Sequence, residues 1–152
     1  MKKMYILFCL ALGGCASIPE ENLSVKVPPP KVNHEVYKLV TSKALEHNIP
    51  VNLAHAVIYT ESRYHPKAIN QGAYGLGQIK CQTARGVGFK GECSKLFEPE
   101  TNLTYSFKYL RVARDLTNDN SCYAATLYQG GLGVKPRKTS YCSLILERKF
   151  KF

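Results

Sequence analysis

A carboxylate at position 61 sits where a periodic pattern calls for an apolar side chain. Ala54, Val57, Ile58 and Glu61 fall at i, i+3, i+4 and i+7, so a helix through this stretch carries Glu61 on its apolar face. A carboxyl group taken partly out of water, near a helix C-terminus whose dipole disfavours negative charge, keeps its proton to higher pH. A carboxylic acid still protonated near neutrality is what general acid cleavage of a glycoside needs. The same periodicity allows Glu61 to turn outward and pair with Arg63 or Lys67, as an ordinary surface ion.

The elements that must position this group are mainly helical. Asn33 is the candidate cap of a first helix in which Val36, Leu39, Val40 and Ala44 recur at helical spacing up to His47. Pro50 breaks the chain, and the helix bearing Glu61 starts near Asn52. Glycines at 72, 75, 77, 86, 88 and 91 predict turns and short helical pieces. A long helix follows Pro99 with Leu103, Phe107 and Leu110 on one stripe, another runs from Ser121 to about Gln129, and Tyr141 to Lys149 closes the fold. Strand-like alternation is nearly absent and no internal repeat is visible.

The whole chain has 152 residues, with 21 Lys and Arg against 11 Asp and Glu. That length suits one domain with a real core, and 45% hydrophobic against 21% charged residues is globular composition. No apolar run reaches the roughly 20 residues of a spanning helix, which excludes a polytopic membrane protein. Lys2 and Lys3, the apolar run Met4 to Leu12 and the small pair Gly13-Gly14 describe a secretory leader. Leu12-Gly13-Gly14-Cys15 also resembles the bacterial lipobox, which implies cleavage before Cys15 and its lipidation. Residues 1–14 are therefore expected to be a signal peptide and 15–32, with Pro19 and Pro28-Pro29-Pro30, a tether. Residues 33–152 are expected to form the domain. Ala16-Ser17 lacks an Asp retention signal, so by resemblance to bacterial lipoproteins the periplasmic face of the outer membrane is expected.

Export turns the strong positive charge away from nucleic acid and toward an acidic envelope polymer or anionic lipid. It also makes the remaining cysteines, Cys81, Cys93, Cys122 and Cys142, a disulfide framework. Of the three pairings, the sequence-local one, Cys81–Cys93 with Cys122–Cys142, is expected. Zinc is the rival reading, disfavoured because no close Cys-x-x-Cys pair occurs and the compartment is oxidising. No histidine spacing suggests a metal, and no cofactor is expected.

Glu61-Ser62-Arg63-Tyr64-His65-Pro66-Lys67-Ala68, followed by Gly72-Ala73-Tyr74-Gly75-Leu76-Gly77-Gln78-Ile79, resembles the catalytic motif of soluble lytic transglycosylases. Asn102-Leu103 with Tyr109-Leu110 is similar to that family's helix motif, and Ala125 to Gly131 to its Ala-x-x-Tyr-Asn-x-Gly block. The resemblance implies a goose-lysozyme-like helical fold and a peptidoglycan substrate. It further implies cleavage between N-acetylmuramic acid and N-acetylglucosamine without net addition of water, leaving a 1,6-anhydromuramic end. One carboxyl, Glu61, acts as acid and then as base. Gln78 matches a glutamine of the substrate cleft, able to donate and accept hydrogen bonds to sugar amides, and Tyr128 a tyrosine whose hydroxyl lies near the acid. Asn70 stands near the place of a family serine and joins them as a substrate-binding residue. Ser62 matches the serine beside the acid, as a local hydrogen-bonding or packing element.

Each of these side chains also has an ordinary structural role open to it. Gln78 can tie down the glycine-rich turn, Tyr128 can fill the core, Tyr64 can pack, and His65 suits a surface turn. The chain departs from the family pattern at Gln129 (for Asn), Ser106 (for Gly), Lys80 (for a hydrophobic residue such as Met) and Cys81 (for Pro). Ser106 asks for extra room between packed elements, and Lys80 is either solvated or placed to hold an acidic peptide stem. A hydrolytic lysozyme on the same fold, or a wall-binding or assembly lipoprotein without turnover, are the alternative functions. Small enzymes of this kind also open the wall for envelope-spanning secretion machinery, and no residue here specifies such a partner.

Overall fold

The computed structural model describes residues 32–152, so the expected signal peptide, Cys15 and the proline-rich tether lie outside the described residues. Helix α1 (His34–Glu46) starts where expected. The Asn33 carboxamide oxygen accepts hydrogen bonds from the backbone N–H of Glu35 at 2.9 Å and Val36 at 3.4 Å. Pro50 stands at the N-cap of α2 (Val51–Ser62), one residue earlier than the sequence suggests. Helix α2 stops because Arg63 and Tyr64 both take left-handed backbone, with φ of 52° and 64°. That conformation is costly for a tyrosine, and burial of its ring holds it in place.

The glycine-rich segment folds into three two-residue strands, β1 (Ile69–Asn70), β2 (Ala73–Tyr74) and β3 (Ile79–Lys80), paired antiparallel in the order β1-β2-β3. They lead into a short helix α3 (Cys81–Gly86) and a 3-10 turn, Cys93–Phe97. Three helices follow: α4 (Pro99–Asp115), α5 (Ser121–Gly130) and α6 (Ser140–Lys149). The fold is the mainly helical one the sequence predicts, with a small sheet only where the glycines cluster.

Helix α2 is the centre of the domain, packed between α1 and α6, while α4 bridges α1 and α5. Its Leu53, Val57 and Ile58 are fully buried against Val40 of α1, Phe107 of α4 and Ile145 of α6. A second cluster, Ile79, Ala84, Phe89, Leu96 and Tyr109, seats the sheet and α3 on α4. Both expected disulfides are present. Cys81–Cys93 joins the start of α3 to the 3-10 turn across 12 residues, and Cys122–Cys142 joins α5 to α6 across 20. Closing loops of these sizes contributes about 2–4 kcal/mol each by restricting the unfolded chain.

Candidate active site

Glu61 lies in the last turn of α2, partly buried, at the floor of a cleft of about 290 Å³. Across the cleft stand Asn70, Ala73, Gln78, Lys80 and Tyr128. A neighbouring hollow of about 260 Å³ shares Gln78, Lys80, Tyr128 and Gln129 and continues to Thr83 and Gly131. The groove therefore runs from the end of α2, past β3, to the end of α5. All three residues expected to bind substrate, Asn70, Gln78 and Tyr128, line it together with Glu61. Among the described residues, Glu61 makes no ion pair with Arg63 or Lys67, so the outward-turned alternative is not the one adopted.

Burial holds the Glu61 carboxyl above the usual carboxylate range, and a hydrogen bond from the Tyr141 hydroxyl to Oε1 partly opposes that rise. The balance favours a proton-bearing acid whose conjugate base is still tolerated, as acid-then-base chemistry requires. Sequence reasoning expected the Tyr128 hydroxyl near the acid; Tyr128 does share the cleft with Glu61 and feels its charge, and the hydrogen bond to the carboxyl comes from Tyr141, which was not expected. The Tyr128 hydroxyl instead donates to the Gly77 carbonyl at 2.7 Å. Burial first, and then the nearby Glu61 charge, raise its pKa. Tyr128 thus holds the glycine-rich turn against α5 while its ring lines the groove. Tyr141 escaped notice because it lies 80 residues from Glu61, outside the motif series. Its only local signal is its place next to Cys142, whose disulfide anchors α6 to α5.

Gln78 ties down the glycine-rich turn and also lines the groove. Its backbone is left-handed, with φ of 47°, and its Nε2 donates to the carbonyls of Ala68 at 3.1 Å and Gly75 at 2.8 Å. Because both partners are carbonyls, the nitrogen is committed to the turn, and Oε1 is the atom left for a ligand. The side chain can accept from a substrate N–H or O–H, and its donors are already in use. This narrows the expectation that it would both donate and accept.

The turn itself is stapled to α4 by Asn102, a second residue whose part was not read from the sequence. Its Oδ1 accepts from the Gly77 N–H at 2.8 Å, and its Nδ2 donates to the Tyr74 and Leu96 carbonyls, each at 2.7 Å. The approach is so close that a Cβ on Gly75 would lie 2.5 Å from Asn102 Nδ2, and one on Gly77 2.2 Å from Ser106 Oγ. Ser106 finds its extra room on the side where Gly77 has no side chain, and its hydroxyl donates to Asn102 Oδ1 at 3.3 Å. Ser62 is buried and donates to the Ile58 carbonyl at 3.2 Å, a local helix bond. His65 is exposed, and Tyr64 packs in the core. Among the described residues, no group of three or more His, Cys, Asp or Glu side chains is placed to hold a metal.

A partly buried acid, a glycine-rich turn stapled beneath it and a groove between helices are the parts that the motif resemblance implied. The transglycosylase SLT domain family model matches residues 38–143, which include the groove and both disulfides. The chain belongs to this family. Among curated relatives of this SLT domain, it is 32% identical over 115 residues to the membrane-bound lytic murein transglycosylase C of Photorhabdus laumondii. The match covers 66% of this chain and 32% of that protein, so the SLT domain here spans about a third of its relative's length. The fold is also that of the 70 kDa soluble lytic transglycosylase of Escherichia coli, with a TM-score of 0.59 and 23% identity. That similarity covers 74% of this chain and 18% of the larger one. An inactive variant of the lytic transglycosylase Slt of Pseudomonas aeruginosa gives a TM-score of 0.60 at 19% identity, covering 76% and 20%.

Proposed function

We propose that the protein is a peptidoglycan lytic transglycosylase in which Glu61 is the general acid and then the general base. The observation that carries this reading is one partly buried carboxyl on the floor of a groove, with no second carboxylate among the described residues that line it. Ordinary glycosidases set two carboxyl groups across the bond, one of them to activate water or to attack the sugar. With a single group, the same carboxyl serves as acid and then as base, and the muramic C6 hydroxyl is a nucleophile already carried by the bound sugar. Protonated Glu61 gives its proton to the glycosidic oxygen between N-acetylmuramic acid and N-acetylglucosamine, and the C1–O bond breaks. The resulting carboxylate then takes the proton of the muramic C6 hydroxyl, whose oxygen closes on C1. The 1,6-anhydro ring forms, and Glu61 is protonated again. Tyr141 orients the carboxyl and steadies its ionised form between the two proton transfers.

Mass spectrometry of soluble fragments from purified peptidoglycan tests this directly. Anhydro-ended fragments from the wild type, lost in Glu61→Gln, are expected. Reducing ends would make the protein a hydrolytic lysozyme, and a folded wild type that binds but releases nothing would make it a wall-binding lipoprotein.

The proposal extends to the envelope, with the protein held at the periplasmic face of the outer membrane by lipid on Cys15. The lipobox-like run and a relative named as membrane-bound support it. Among the described residues, no helix is long and apolar enough to cross a membrane. Incorporation of labelled palmitate, abolished in Cys15→Ala, is the expected result. None of this support reaches as far as envelope-spanning secretion machinery.

A further inference from the structure

The groove carries one cation whose position is built rather than incidental. In the β2–β3 ladder, Ala73 pairs with Lys80 and Tyr74 with Ile79. Side chains alternate across a strand, so this register sends Ile79 into the core and leaves Lys80 exposed on the groove side with Ala73. The backbone of Lys80 is fixed from both directions. Two residues before it, Gln78 binds the turn through its amide, and the next residue, Cys81, is bonded to Cys93.

Lys80 lines both hollows of the groove, and among the described lining residues it is the only cation. The ion pairs among the described residues leave it without a carboxylate partner. It forms no ion pair with Glu61 in the same hollow, and the Glu61 carboxyl is hydrogen-bonded by Tyr141. A groove cation that pairs with no carboxylate of the described residues is left for the ligand. The N-acetylated sugar rings of a glycan strand are neutral. Their acidity lies on the lactyl arm of the muramic unit, as a free lactyl carboxylate or as the carboxylates of an attached peptide stem.

We infer that Lys80 is a specificity-determining residue that reads a carboxylate carried by the muramic unit in the groove. The inference rests on the glycan substrate proposed above and adds which strands are preferred. The ammonium on its flexible stem can follow a carboxylate at either place, through a charge-assisted hydrogen bond that a neutral residue cannot replace.

The test is a binding titration of the full chain with soluble peptidoglycan strands, in a Glu61→Gln background so that no turnover intervenes. Lys80→Met and Lys80→Arg are compared with their parent on three strand sets: stems intact, stems removed by an amidase, and carboxylates chemically amidated. Lys80→Met is expected to weaken Kd about tenfold on carboxylate-bearing strands and to leave the amidated strands unchanged, with Lys80→Arg restoring most of the loss. Added salt should shrink the difference between Lys80→Met and its parent. A loss confined to intact stems identifies the stem carboxylates, and one that persists on stripped strands the lactyl carboxylate; either supports the inference. Equal binding by Lys80→Met and its parent overturns it. So does an equal loss on amidated strands, or a parent that binds none of the strands. Absence of cleavage by the wild type would overturn the proposed activity while leaving the dependence on Lys80 to be read by binding.

Discussion

Helix α2 buries two titratable side chains six residues apart, and they have opposite fates. His55 is fully buried, with Nε2 2.9 Å from the Thr41 hydroxyl, Nδ1 2.8 Å from the Tyr64 hydroxyl and Tyr37 stacked on its ring at 4.0 Å. Both ring nitrogens are satisfied inside the protein, and burial lowers its pKa to about 4, so the imidazole stays neutral. Glu61 has a hydrogen bond at Oε1, while its carboxyl borders an open groove. A buried polar group with every valence met holds a fold together; one with a valence turned to a cleft can do chemistry. Burial alone does not distinguish the two.

Breaking the Glu61 end has the largest expected effect. Glu61→Gln should lower fragment release about 10³-fold, as removal of a general acid does, with an unchanged circular dichroism spectrum. Breaking the other end should do the reverse. His55→Ala leaves a cavity and the buried Tyr64 hydroxyl without its partner, while the half-buried Thr41 hydroxyl keeps its bond to the Tyr37 carbonyl, so chemical denaturation should show a loss of about 3 kcal/mol. The rate per folded molecule should stay within about threefold of wild type. If cleavage collapses while stability holds, the division between the two ends is wrong.

Acid sharpens the same contrast. Because the folded pKa of His55 lies below the unfolded value of 6.5, the unfolded chain gains the proton first as pH falls. Its contribution to stability is complete above pH 6.5 and is lost progressively down to about pH 4, to a total of about 3 kcal/mol. A stability profile measured by denaturant titration from pH 7 to pH 4 should show this slope, and His55→Ala should flatten it.

Tyr141→Phe keeps the ring and removes the hydroxyl, with an expected loss in rate of about tenfold. The lost bond favoured the ionised carboxylate, so the Glu61 pKa should rise further. The alkaline limb of the pH–rate profile should then move to higher pH; a shift to lower pH would overturn the part assigned to Tyr141. The smallest effect is thermal. In wild type the folded state holds the Glu61 proton more tightly than the unfolded chain, so stability declines as pH rises above the ordinary value of 4.5. Glu61→Gln escapes that decline, and its melting temperature should exceed that of wild type at pH 8 by more than at pH 5.

Helical periodicity was enough to place α1, α2, α4, α5 and α6 because it is a local property, set by which residues fall three and four apart. The same arithmetic put Glu61 on the inner face of α2, and Asn33 marked the first helix start because a cap acts within three residues of itself. Charge, the leader-like start and an even set of four later cysteines were legible for the same reason: they depend on residue type and order. Tertiary structure alone could show that Tyr141 hydrogen-bonds the acid, since that contact depends on how α6 docks on α2. It alone committed the Gln78 nitrogen to the turn, gave Asn102 its three bonds across the fold, and turned Lys80 into the groove through strand register. Some of these contacts join elements far apart in sequence and others close a turn within ten residues, but all are decided by backbone conformation and packing in three dimensions, which residue spacing does not encode.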